Sequence, residues 1–140
     1  MKKLIIDSSV IVKWLNQTNE ERLQEADNVI KDVKEEKVTI ETSELAKYEV
    51  GNVFLLRKKI SISEAKISLS SLYTLPLKFH TQTENLATET FKIAKEANIT
   101  FYDASFMALA KQENATLVTD NPKHQAAIKE VKVIALKDYK

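Results

Sequence analysis

Four acidic side chains stand beside apolar runs rather than inside polar stretches. Asp7 follows Leu4–Ile6, and Asp120 follows Ala115–Thr119. Asp103 precedes the apolar segment Ala104–Ala110. Glu49 falls in the stretch 43–58, where positions 45, 49, 52 and 56 share one face at helical spacing. That face reads Leu45, Glu49, Asn52, Leu56, a carboxylate and an amide in a stripe that ends in leucines. Taken singly, each aspartate has an ordinary explanation, because an acceptor side chain at a helix start or turn caps backbone N–H groups. Glu44 also has one, following Ser43 in a first turn where the helix dipole favours an acid. An inward Glu49 does not, since an acid on an apolar face is costly unless it lines a cleft or meets a cation.

Taken together, the four acids point to one chemistry. Carboxylates that converge without a cation repel and raise one another's pKa values. A hard divalent cation relieves that repulsion, and all-oxygen ligation favours Mg²⁺ or Mn²⁺ over zinc. Carboxylate-held Mg²⁺ acts on phosphate oxygens, positioning a water and stabilising charge in an in-line displacement. Other chemistries are excluded by composition. With no cysteine there is no disulfide scaffold, thiolate zinc site or cysteine nucleophile. Two histidines, His80 and His124, are too few for a multi-histidine metal site. Twenty-one Lys plus Arg against twenty Asp plus Glu give a net charge of +1, which excludes holding nucleic acid by bulk positive charge but not by a local patch. Arg57, Lys58 and Lys59 close the 43–58 helix, where cations suit the dipole and can also touch phosphates.

Elements of a definite kind must position these acids. The 140 residues are 44% hydrophobic and 29% charged, which fits one domain over 1–140 with a real core. One Gly and two Pro leave no flexible linker and no Gly-rich phosphate loop. Short apolar runs at Leu4–Ile6, Val38–Ile40, Ala115–Thr119 and Val131–Leu136 predict buried strands. Helical spacing predicts helices over Val10–Leu15, 20–36, 43–58, 62–73, 84–97 and 104–112. Leu75–His80 reads either as an edge strand or as a loop. Strands that alternate with helices predict an α/β fold with a mainly parallel sheet of four or five strands, since parallel strands need crossover helices. Ligands of such sheets bind at the carboxyl ends of strands, near the point where strand order reverses. Asp7 and Asp120 then share one rim. Lys2 and Lys3 before an apolar run resemble a leader, but Asp7, Ser8 and Ser9 break it after three residues, so neither a targeting nor a membrane segment is expected and the chain reads as cytoplasmic.

The same residues carry a family resemblance over essentially the whole chain. LIIDSSVIVKWL, ELAKYEVGNVF and FYDASFMALAKQENATLVTDN resemble, in order and spacing, the motifs of PIN-domain proteins, specifically the small VapC-type toxins of toxin–antitoxin pairs. The resemblance implies a PIN-like fold and a Mg²⁺- or Mn²⁺-dependent endoribonuclease that hydrolyses RNA through activated water. It implies that Asp7, Glu49, Asp103 and Asp120 are the catalytic, metal-holding residues, with Asn52 the helix partner of Glu49. Relatives often carry the last acid one position later, where this chain has Asn121, so Asp120 or Asn121 fills the fourth position. Thr119 and Ser9 would orient water or phosphate. A homodimer and a small antitoxin covering or entering the acidic cleft are implied as partners, beside the RNA substrate.

Three other readings share parts of this pattern. An RNA-processing nuclease of the same fold would have the same acids. A phosphoryl-transfer domain of the haloacid-phosphatase kind wants a second Asp two residues after Asp7, where Ser9 stands, and a receiver domain wants paired acids at the first strand, which are absent. A non-catalytic module of this fold would have no need of Asp7, Glu49 and Asp103.

Overall fold

The apolar runs do form strands, and they lie side by side in one parallel sheet. The computed structural model describes residues 1–122 and 128–140; His124 falls in 123–127, outside the described residues. The strands are β1 (Lys2–Ile6), β2 (Val38–Ser43), β3 (Leu77–His80), β4 (Thr116–Thr119) and β5 (Val133–Ala135). Their order is β3-β2-β1-β4-β5, and every neighbouring pair is parallel. Leu4 of β1 is in register with Ile40 on one side and Thr116 on the other. Leu4, Ile5 and Ile6 are fully buried, as a central strand covered on both faces requires. Leu75–His80 therefore resolves as an edge strand.

The helices are α1 (Ser8–Leu15), α2 (Leu23–Lys34), α3 (Leu45–Asn52), α4 (Ile62–Leu72), α5 (Glu84–Ala97) and α6 (Phe101–Gln112). The chain moves outward from β1 to β2 and β3, then returns across the sheet to β4. Right-handed crossovers then set the helices before β3 on one face and α5 and α6 on the other. In agreement, α1 packs against α2, α3 and α4, while α6 lies on β1, β2 and β4 with α5 outside it. Ala104 to Ala110 of α6 are all buried, the mark of a helix enclosed all round.

Two departures from the expected helices bear on the acids. The stretch 43–58 is not one α-helix. After α3 it continues as a π-helical turn over Val53–Lys58, with wider i to i+5 bonding. Its core face is Ala46, Val50 and Phe54, whereas Asn52 is exposed and Leu56 is 63% exposed. Helix α6 starts three residues earlier than expected. Its cap is Thr100, whose Oγ1 accepts from the Asp103 backbone N–H at 3.0 Å. Asp103 thus stands in the first turn and is not the cap. Replacing Thr100 by Ala should cost about 1 kcal/mol in denaturant unfolding, with no comparable loss in Asp103→Asn. The reverse pattern would mean that Asp103 holds the helix end.

Candidate active site

The point where strand order reverses lies between β1 and β4, and Asp7 and Asp120 are the residues that leave those two strands. A cleft of about 320 Å³ opens there, lined by Asp7, Ser8, Ser9, Glu20, Asp103, Asp120 and Asn121, with Val12, Val53 and Arg57. Glu49 reaches the same place from α3, where its Oε1 accepts from Ser8 Oγ at 2.9 Å. The fold therefore gathers all four predicted acids at one rim. Asn52 is exposed and does not join them.

Asp7 is only 6% exposed and caps α1. Its Oδ1 accepts from the Ser9 N–H at 3.1 Å and from Ser9 Oγ at 2.5 Å. Burial nonetheless pushes its pKa up to about 6, against the hydrogen bonds from Ser9, Thr119 and Val10 that favour the carboxylate. The Ser9 and Thr119 hydroxyls are both tied to this acid and its neighbours. Ser9 Oγ also accepts from the Asp120 N–H at 3.0 Å, and Thr119 Oγ1 accepts from the Asn121 N–H at 3.0 Å. Glu49 is raised too, first by burial and then by the charges of Asp7 and Asp103, with the Ser8 hydroxyl opposing.

The Asp120 side of the cleft is different. Lys13 is 2% exposed, with its Nζ 3.1 Å from Asp120 Oδ2, 3.0 Å from Glu20 Oε1 and 2.6 Å from the Glu21 carbonyl. Lys58 Nζ lies 2.9 Å from Glu20 Oε2. Burial alone would raise Glu20, but the two ammonium groups outweigh it and hold its carboxyl below the usual range. Sequence reasoning missed Lys13 and Glu20. The available signal was a lone lysine inside the apolar run VIVKWL, a place where a cation needs a partner.

The cleft is thus divided. Glu20 and Asp120 have lysine partners, whereas among the described residues Asp7 and Glu49 have none. Oxygen donors of raised pKa, crowded and short of positive charge, suit a hard divalent cation. A separate group, Glu41, His80 and Glu113, has ligand atoms within 4.8 Å of one another. Lys3 Nζ already stands 3.0 Å from Glu113 and 3.6 Å from Glu41, so that group has its own cation. Glu113 caps the far end of α6 from Asp103, about 15 Å away at 1.5 Å per residue.

Burial of Asp7 has a pH signature. Folded, its carboxyl holds a proton up to about pH 6, against an ordinary value of 3.8, so between these values the folded state binds more protons and stability falls as pH rises. In chelator, Asp7→Asn should gain on the parent from pH 4 to pH 7 by on the order of 3 kcal/mol, at 1.36 kcal/mol per pKa unit. Urea titrations at several pH values measure this, and a constant difference would mean that Asp7 is not desolvated.

Comparison with known proteins agrees with this architecture. The PIN domain family model matches residues 4–130. Ribonuclease VapC3 of Pyrobaculum aerophilum is 30% identical over 122 residues, covering 84% of this chain and 88% of that protein. Among solved structures, VapBC2 of Rickettsia felis bound to a promoter DNA fragment has a TM-score of 0.69 at 17% identity, over 95% of this chain and 98% of that one. VapC20 of Mycobacterium tuberculosis, a toxin that cleaves the sarcin–ricin loop, has a TM-score of 0.66 at 17% identity, over 92% of this chain and 98% of that one. The fold, the matched span and the VapC relative agree: this chain belongs to the PIN domain family.

Proposed function

We propose that the chain, acting as one domain over 1–140, is a Mg²⁺- or Mn²⁺-dependent endoribonuclease of the VapC kind, a cytoplasmic toxin restrained by a small antitoxin. The observation that carries this reading is the convergence of Asp7, Glu49 and Asp103 at the β1/β4 rim, where among the described residues Asp7 and Glu49 have no lysine or arginine partner. The ribonuclease name of the VapC3 relative supports it. Asp7, Glu49 and Asp103 would hold the ion, with Asp120 or Asn121 completing the set. When bound, such an ion supplies charge compensation for these acids and electrophilic and water-activating chemistry toward a phosphodiester.

The chain's own groups have defined parts in this reading. The Ser9 and Thr119 hydroxyls and the Ser9 amide hold the Asp7 carboxylate in one orientation and favour its charged form. Ser8 Oγ fixes Glu49. Lys13 keeps Asp120 at the margin of the cleft, balanced by Glu20. The cleft offers no cysteine.

The antitoxin part rests on the surface. Tyr48, Leu55, Leu56, Ile62 and Ile67, on α3, the π-helical turn after it and α4, are 63 to 90% exposed. A concentration of large apolar side chains suits an apolar segment of a partner. Among the structural neighbours, VapBC2 and FitAB are solved bound to DNA fragments, the former from its promoter, and a Klebsiella pneumoniae neighbour is a toxin–antitoxin complex. A homodimer belongs to the same proposal. Among the described residues no helix is long and apolar enough to cross a membrane.

The test is cleavage of cellular RNA by the purified protein with Mg²⁺ or Mn²⁺. Chelator should abolish it. Glu49→Gln should lose more than the roughly 10–100-fold that removal of a supporting partner costs. Glu44→Gln should stay within about twofold, because Glu44 makes only a modest, partly exposed pair with Lys47. Cleavage that persists in excess EDTA, or equal losses at the two glutamates, would overturn the reading.

A further inference from the structure

The turn Val53–Lys58 sends its side chains into three different surroundings. Within Val53–Lys58, Phe54 enters the core, Leu55 and Leu56 face solvent, and Val53 and Arg57 both line the acid cleft. Lys58, the next residue, turns back onto the loop after α1. Its Nζ donates to the Asn16 carbonyl at 3.0 Å and to the Thr18 carbonyl at 2.5 Å, and it pairs with Glu20. The side chain of Lys58 is 5% exposed and fully committed. Arg57 is exposed, and among the described residues no carboxylate or carbonyl pairs with it. Four acids line the same cleft, yet Lys13 and Lys58 have taken Glu20, and Lys13 has taken Asp120.

An exposed guanidinium at the lip of an acidic cleft, with no acid of the described residues paired to it, is open to an anion from outside. Its planar fork fits two oxygens of a phosphate, whereas an ammonium group acts as a point charge. The acids repel a polyanion, so a strand that enters the cleft gains most from one fixed cation beside the reacting position. We propose that Arg57 grips a non-reacting phosphate of single-stranded RNA, next to the phosphate held at the Asp7–Glu49–Asp103 group. This assignment rests on the ribonuclease reading and adds a binding residue to it. Arg57 contributes to the ground state and the transition state alike, so it acts on KM.

The test uses a short, mixed-sequence single-stranded RNA oligonucleotide and the full chain. In Mn²⁺, Arg57→Ala should raise KM about tenfold, equivalent to about 1.4 kcal/mol, with kcat within about twofold of the parent. Arg57→Lys should recover part of that loss. Binding of the same RNA is then followed by anisotropy against KCl in an Asp7→Asn background, with and without Arg57→Ala. One lost phosphate contact should lower the slope of log K against log salt by about 0.7. Lys59→Ala, which removes one charge at the same helix end but outside the cleft lining, should leave KM unchanged. Thermal melts of Arg57→Ala should match the parent, as Arg57 makes no packing contact in the core.

Unchanged KM and slope in Arg57→Ala, with the parent cleaving normally, would overturn the phosphate site and leave the nuclease reading standing. An equal effect from Lys59→Ala would overturn it as well, by showing a diffuse charge effect. A fall in kcat at constant KM would also contradict a binding role. RNA binding that depends on Arg57 in a protein that never cleaves would sink the nuclease reading and keep the site. A parent that neither binds nor cleaves this RNA would overturn both.

Discussion

The structure depends on keeping an ionisable acid at the buried end of its central strand. Asp7 follows three fully buried aliphatic residues, and it stands where the strand order reverses. Taking a carboxylate out of water costs several kcal/mol unless donors or a cation replace the lost solvation. The chain supplies donors: the Ser9 amide and hydroxyl, the Thr119 hydroxyl and the Val10 amide. They do not suffice, and the carboxyl is still pushed up to about 6. The local structure follows from this one need. Helix α1 begins at Ser8 because Asp7 caps it, and the β4 exit is tied back through Ser9 to the Asp120 amide.

The distribution of cations gives the rim its character. Lys13 and Lys58 satisfy Glu20 and Asp120, and a buried pair of that kind fixes geometry more than it adds stability. Lys3 does the same for Glu41 and Glu113 at the far end of α6. Among the described residues Asp7 and Glu49 are left with hydroxyl and amide donors. A protein selected for stability alone would place an amide or a lysine there. In the proposed function the cation that RNA needs to approach this negative cleft is a local one, which a net charge of +1 allows.

Much of this was legible in the sequence, for identifiable reasons. Asp7 and Asp120 could be read because each follows an apolar run, and a parallel sheet sends such residues to one rim. Glu49 was legible as an acid at a helical spacing that included leucines, although the buried face proved to be Ala46, Val50 and Phe54, with Glu49 on its margin. Nothing in VFLLRK marks the change to i to i+5 bonding, because π turns arise from tertiary packing and not from propensity. So Arg57 and Lys58 read as one basic helix end, although their side chains part completely. The start of α6 was misjudged because Asp103 was tested as a cap, while Thr100 with an acid three residues on is the better cap signal. The bond between Lys13 and Asp120 joins residues far apart in sequence, and only the fold makes them neighbours.

The account stands or falls on whether the β1/β4 rim is a divalent cation site. Calorimetric titration of the metal-free protein with Mn²⁺ near neutral pH tests this without reference to any RNA. The account predicts saturable binding that is lost or sharply weakened in Asp7→Asn, Glu49→Gln and Asp103→Asn, and retained in Glu113→Gln at the far end of α6. No saturable binding in the parent, or binding that survives all three rim substitutions and disappears in Glu113→Gln, would contradict it.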